Sequence, residues 1–150
     1  MAHRVRKIPI AAAGALFGAL ISLFLAFSAA AADRPAATDV RLAGDDRQTR
    51  LILDLTDKVD LSVFTLASPY RVVVDLPQVA FRLPAKAGET GRGLVKAFRY
   101  GLVMQGGARV VIDTKGPVRV DKAFVLPAAE GVPARMVLDL VATDRDAFMR

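Results

Sequence analysis

The chain has 150 residues, 53% of them hydrophobic, with a formal net charge of +6, no cysteine and a single histidine, His3. With that one histidine at the extreme N-terminus and no thiol, everything downstream is excluded from forming a His-based zinc site, a Ser-His-Asp triad or a Cys-His dyad. The length suits one domain with one core, and without cysteine that core is held by packing alone.

The first segment is built for export. Arg4, Arg6 and Lys7 form a basic start, Ile8 to Ala32 carries no charge, and Ala30-Ala31-Ala32 closes the run just before Asp33. A basic start, an apolar middle and a small-residue exit predict a helical secretory signal over 1–32. The uncharged run is long enough to cross a bilayer, so an uncleaved anchor is the alternative. Its Ala and Gly content and the small-residue exit favour cleavage. Loss of the signal removes three basic residues and no acid, because every Asp and Glu lies from Asp33 onward. The remaining 118 residues then hold 18 basic against 15 acidic side chains, a balance of +3. That charge is too mild and too dispersed for a nucleic-acid footprint, though it is compatible with an anionic polymer.

Asp33 to Thr38 reads as a Pro/Ala linker. Beyond it, short β-branched runs alternate with turn signals and no stretch has a helical period. Eight strands are predicted, near Asp39–Ala43, Thr49–Thr56, Asp60–Leu66, Tyr70–Pro77, Gly93–Tyr100, Ala108–Thr114, Pro117–Leu126 and Ala134–Ala142. Turn residues separate them, among them Gly44-Asp45-Asp46, Ser68-Pro69, Gly106-Gly107 and Gly131-Val132-Pro133. Residues 143–150 read as a tail or the start of a further linker.

An internal repeat organises these strands. Arg, three apolar residues and Asp recur as Arg50-Leu-Ile-Leu-Asp54, Arg71-Val-Val-Val-Asp75, Arg109-Val-Val-Ile-Asp113 and Arg135-Met-Val-Leu-Asp139. A strand bearing an Arg precedes each pair of copies, with Arg41 in the first half and Arg99 in the second. The halves lie near 39–79 and 93–142. The expected fold is all-β, a sandwich of two similar three-to-four-stranded sheets from an internal duplication.

Side chains alternate faces along a strand, so Arg at the first position and Asp at the fifth share a face. The second and fourth positions face the other way: Leu51 and Leu53, Val72 and Val74, Val110 and Ile112, Met136 and Leu138. These are the predicted core. Ile52, Val73, Val111 and Val137 fall between the charges on the outer face, where they are expected to be exposed.

Chemistry-bearing motifs are scarce. Gly88-Glu-Thr-Gly91-Arg-Gly93 has the wrong order and no following helix for a phosphate loop. A carboxylate-pair hydrolase needs neither His nor Cys. Yet the acids here sit in turns or beside an Arg, which does not raise a carboxyl pKa. Two roles stay open for Arg50, Asp54, Arg71, Asp75, Arg109, Asp113, Arg135 and Asp139. Cross-strand pairing would stabilise register. Alternatively the stripes bind: Arg offers a planar donor fork to carboxylates, and Asp accepts from hydroxyls and amides, which suits a glycopeptide such as peptidoglycan. Tyr70 and Tyr100 are the only sugar-platform aromatics expected at the surface.

Val40-Arg41, Thr49-Arg-Leu-Ile-Leu-Asp54, the Pro69–Leu76 segment, Phe98-Arg99 and Arg109-Val-Val-Ile-Asp113 together resemble the AMIN domain. That module is found in exported N-acetylmuramoyl-L-alanine amidases and some pilus secretins. The likeness covers about residues 39–142. It implies a two-sheet sandwich, a periplasmic location, and binding to peptidoglycan or to division-machinery proteins. In the amidases a separate zinc domain cleaves the bond. The resemblance therefore implies a non-catalytic, cofactor-free module here, with zinc only in a domain outside this chain. Expected alternatives are a stand-alone docking domain that uses an open sheet edge and, least favoured by the residues, an independent enzyme.

Overall fold

The computed structural model describes residues 34–103 and 106–150; the predicted export signal lies outside the described residues. Among the described residues nine strands and one short helix follow in chain order: β1 (Ala36–Gly44), β2 (Gln48–Leu55), β3 (Ser62–Leu66), β4 (Arg71–Pro77), β5 (Ala80–Phe81), β6 (Val95–Val103), β7 (Gly107–Thr114), β8 (Val118–Leu126), β9 (Ala134–Ala142) and α1 (Arg145–Met149). Among the described residues no helix is long and apolar enough to cross a membrane.

The strands form two sheets, one ordered β5-β1-β2-β9-β8 and the other β3-β4-β7-β6. The all-β sandwich expected from the repeat is present, with five and four strands rather than three to four in each. The eight main strands start and end within a few residues of their predicted bounds, because β-branched runs and turn glycines mark them locally. Ala36 to Thr38, inside the Pro/Ala segment, already belong to β1. Thr56 ties their start down: its N–H donates to the Ala36 carbonyl and its Oγ1 accepts from the Ala36 N–H, each at 2.9 Å.

The two halves do not make one sheet each. Strands β1 and β2 join β9 and β8, while β3 and β4 join β7 and β6. Exchanging strands that stand five places apart in the chain maps β1-β2-β9-β8 onto β6-β7-β4-β3, so each sheet is the counterpart of the other. The centre of each sheet is an antiparallel pair of motif strands, β2 with β9 and β4 with β7. Thus the first copy of the motif pairs with the fourth, and the second with the third.

The predicted core is the observed one. Leu51, Leu53, Val72, Val74, Val110, Ile112, Met136 and Leu138 are all buried in one cluster fed by both sheets, which Leu55, Phe98 and Leu140 extend. Burying a Leu or Ile side chain of this kind contributes about 2–3 kcal/mol. The long β5–β6 connection closes one end of the sandwich. It does so through Gly93, whose φ of +56° brings it against Thr49; a Cβ there would lie 2.3 Å from Thr49 Oγ1. Buried Thr49 donates to the Asp45 carbonyl and accepts from the Leu94 N–H.

Candidate binding faces on the two outer sheet surfaces

When two copies of a five-residue motif run antiparallel with their centres aligned, each Arg falls opposite the partner's Asp. The register does this twice. In one sheet Arg50 faces Asp139, Ile52 faces Val137 and Asp54 faces Arg135. In the other, Arg109 faces Asp75, Val111 faces Val73 and Asp113 faces Arg71. All eight stripe residues singled out in the sequence therefore lie in two equivalent outer rows.

At one end of each row the facing charges make a forked ion pair. Arg50 donates from Nε and Nη2 to the two carboxylate oxygens of Asp139, at 2.7 and 2.8 Å. Arg109 does the same to Asp75, at 2.6 and 3.0 Å. Both acids are held below the ordinary carboxyl range, first by the hydrogen bonds from their arginines, with burial working against the shift. The matching arginines are raised above their usual value, chiefly by the same bonds.

At the other end the facing charges do not meet. Asp54 is instead taken by Arg41 of β1, which donates from Nη1 and Nη2 at 3.0 and 3.1 Å. Asp113 is approached by Arg99 of β6, at 3.8 Å. These two arginines, read in the sequence only as strand markers, are counterparts of each other and complete the rows. Their role depends on which strand lies beside which, and the repeat alone does not give that.

Arg135 and Arg71 are thereby left over. Among the described residues neither has an ion-pair partner. The Arg71 Nε is shielded from solvent and has no hydrogen-bond partner. The four-stranded face thus holds three arginines to two acids, while on the five-stranded face Arg41 also reaches Asp39, at 3.1 Å, and three arginines meet three acids.

The apolar surroundings differ from expectation. Ile52 and Val111 are half-buried, but Val73 and Val137 are buried. Their register partners on the edge strands explain this: Phe64 lies opposite Val73, and Phe124 lies opposite Val137. Among the described residues the exposed aromatics are these two phenylalanines, at 39% and 37%, and not the tyrosines. Tyr100 packs against the core beside Phe81 and Phe98, and the Tyr70 ring meets the Phe148 ring edge-on at 5.0 Å. Phe-x-Leu recurs in both edge strands (Phe64 and Leu66, Phe124 and Leu126), a signal visible in the sequence once the strands are phased. The Arg109 guanidinium sits 5.9 Å from the centre of the Phe64 ring. On this face a shallow depression of about 360 Å³ is lined by Arg71, Arg99, Arg109, Tyr100 and Val111 among others.

A comparison with the curated proteins finds no match. The model of the AMIN domain family, however, matches residues 39–140, which takes in every Arg and Asp of the two rows. With the motif copies, the two-sheet sandwich and that match in agreement, the chain belongs to the AMIN domain family.

Proposed function

We propose that this protein is an exported cell-wall module that binds peptidoglycan through its two outer faces, as the targeting part of an N-acetylmuramoyl-L-alanine amidase. AMIN domains are peptidoglycan-binding or targeting modules of amidases and secretion-related proteins, and they occur in periplasmic proteins. The observation that carries the reading is the arrangement of the rows: arginine-rich faces on which Arg71 and Arg135 have no acid partner, bordered by exposed Phe/Leu edges, repeated on both sheets. A muropeptide presents carboxylates, amides and hydroxyls with small apolar side chains between them, and each of those groups has a counterpart in a row. Export places the module where that polymer is. On this reading the chain itself binds and positions, and cleavage belongs to zinc ligands in a separate domain.

Co-sedimentation with purified sacculi tests it. The protein is expected in the pellet at low salt and to be released as salt rises, because exposed charge pairs are screened. Failure to pellet at low salt would sink the proposal.

One feature favours a docking role for the division or secretin machinery. Strand β3 ends its sheet, and its sequence, Ser62 to Leu66, carries no charge to guard the edge. The opposite sheet's edge strand β8 is bulged between Val120 and Lys122 and carries Arg119 and Asp121, which is how edges are protected. Septal localisation that survives loss of sacculus binding is the expected sign of such docking.

A further inference from the structure

We propose that Arg71 and Arg135 are equivalent carboxylate-reading residues on opposite faces of the sandwich, which makes the domain a bivalent bridge between two peptidoglycan stem peptides. The proposal rests on the peptidoglycan reading above and adds the ligand group, the residues and the stoichiometry.

Every acid in the two rows is already answered by an arginine: Asp139 by Arg50, Asp54 by Arg41, Asp75 by Arg109 and Asp113 by Arg99. One guanidinium per face pairs with no acid, and it occupies the same motif position in the second and fourth copies. Arg71 has a shielded Nε without a partner. With Nε shielded, a ligand in the depression that Arg71 lines meets the two Nη groups, whose fork suits a planar, anionic, two-oxygen acceptor. A neutral sugar hydroxyl leaves its charge unanswered.

The neighbours narrow the acceptor to a carboxylate attached to a small aliphatic residue. Leu66 lies opposite Arg71 and Leu126 opposite Arg135, with Phe64 and Phe124 two residues along the same faces. All four are exposed. A free C-terminal carboxylate of an alanine-type residue places its oxygens on the fork and its methyl against the leucine. Because the two outer faces point away from each other across the shared core, one carboxylate cannot serve both. Two ligands bind at once, and avidity follows when both belong to the same network.

The test uses beads of two colours that carry a disaccharide–tetrapeptide, together with whole sacculi. The unaltered protein is expected to pellet with sacculi and to join beads of different colour. Arg71→Gln and Arg135→Gln are each expected to weaken the altered face about tenfold, one charge-assisted contact being lost, so that single beads still bind through the intact face while bridging falls sharply. The double variant is expected to lose both. All three variants should keep the unaltered melting temperature, because neither arginine holds an acid. Amidation of the peptide carboxylates is expected to remove bead binding by the unaltered protein, an arm that needs no substitution. The bivalent reading is overturned if single variants bridge as well as the unaltered protein, if one substitution abolishes binding to single beads, or if amidated peptides bind as well as free ones. In each of those cases pelleting with sacculi leaves the broader proposal standing. No pelleting of the unaltered protein overturns both.

Discussion

The same ion pair lives in two different environments. In the five-stranded sheet Asp139 is 1% exposed, while its counterpart Asp75 in the four-stranded sheet is 35% exposed. Their arginines are similarly open, at 47% and 40%. What differs is the next strand out. The nine-residue β8 sets Lys122 opposite Asp139, whereas the five-residue β3 sets Ser62 opposite Asp75. A long aliphatic stem covers one carboxylate, and a hydroxymethyl group leaves the other in water. The duplication has kept the pairing geometry while the edge strands have set its energetics.

The comparison predicts equality in the core and inequality outside it. Leu53→Ala and Ile112→Ala, which remove counterpart side chains with at most 1% exposure, should each cost about 3 kcal/mol. Urea denaturation would show whether the two losses match; a twofold difference would break the equivalence of the sheets. Next in size, Arg50→Met leaves a covered carboxylate without its donors and should cost about 2 kcal/mol, allowing for Lys122 nearby and for the open guanidinium. Arg109→Met exposes Asp75 to water and should cost clearly less. Equal losses from the two would refute the covering role of β8.

The acid limb of stability sharpens the same contrast. Asp139 and Asp75 both titrate lower in the folded protein than an unfolded Asp, whose pKa is about 3.9. Their stabilisation is full above that value and is lost as pH falls through the lower folded values. Melting temperature should therefore drop below about pH 4. The drop should be shallower in Arg50→Met and Arg109→Met, because each removes one source of the shift. The smallest expected effect is an exchange of covers. Ser62→Lys should make the Arg109–Asp75 pair less sensitive to added salt, and Lys122→Ser should do the reverse to Arg50–Asp139, as melting temperature against salt would show.

Much of this was legible in the sequence, for local reasons. Period-two alternation around Arg and Asp fixed both the faces and the core at Leu51, Val72, Ile112 and Leu138. The turn residues bounded the strands. Strand β5 was not legible: Ala80 and Phe81 are too few to carry a pattern, and they exist as a strand only because β1 lies parallel beside them. Helix α1, at five residues with an Asp144 cap, is too short to show a period. The candidate site divides in the same way. That Arg would face Asp followed from the motif. That Arg50 would face Asp139, that Arg41 and Arg99 would capture Asp54 and Asp113, and that Phe64 and Phe124 would be the exposed rings all follow from non-local strand order.

The cross-pairing of the halves also bears on when the domain can fold. Arg50 and Asp139 are 89 residues apart in sequence, and β9, a central strand of the five-stranded sheet, is the last strand of the domain. Contacts of such separation form late and slowly. A polypeptide emerging N-terminus first has β1 and β2 available from the start, but their central neighbour only once nearly all of the domain has appeared. The five-stranded sheet therefore stays incomplete until the domain's final strand arrives. A product truncated before Ala134 would lack that centre and stay open to proteases.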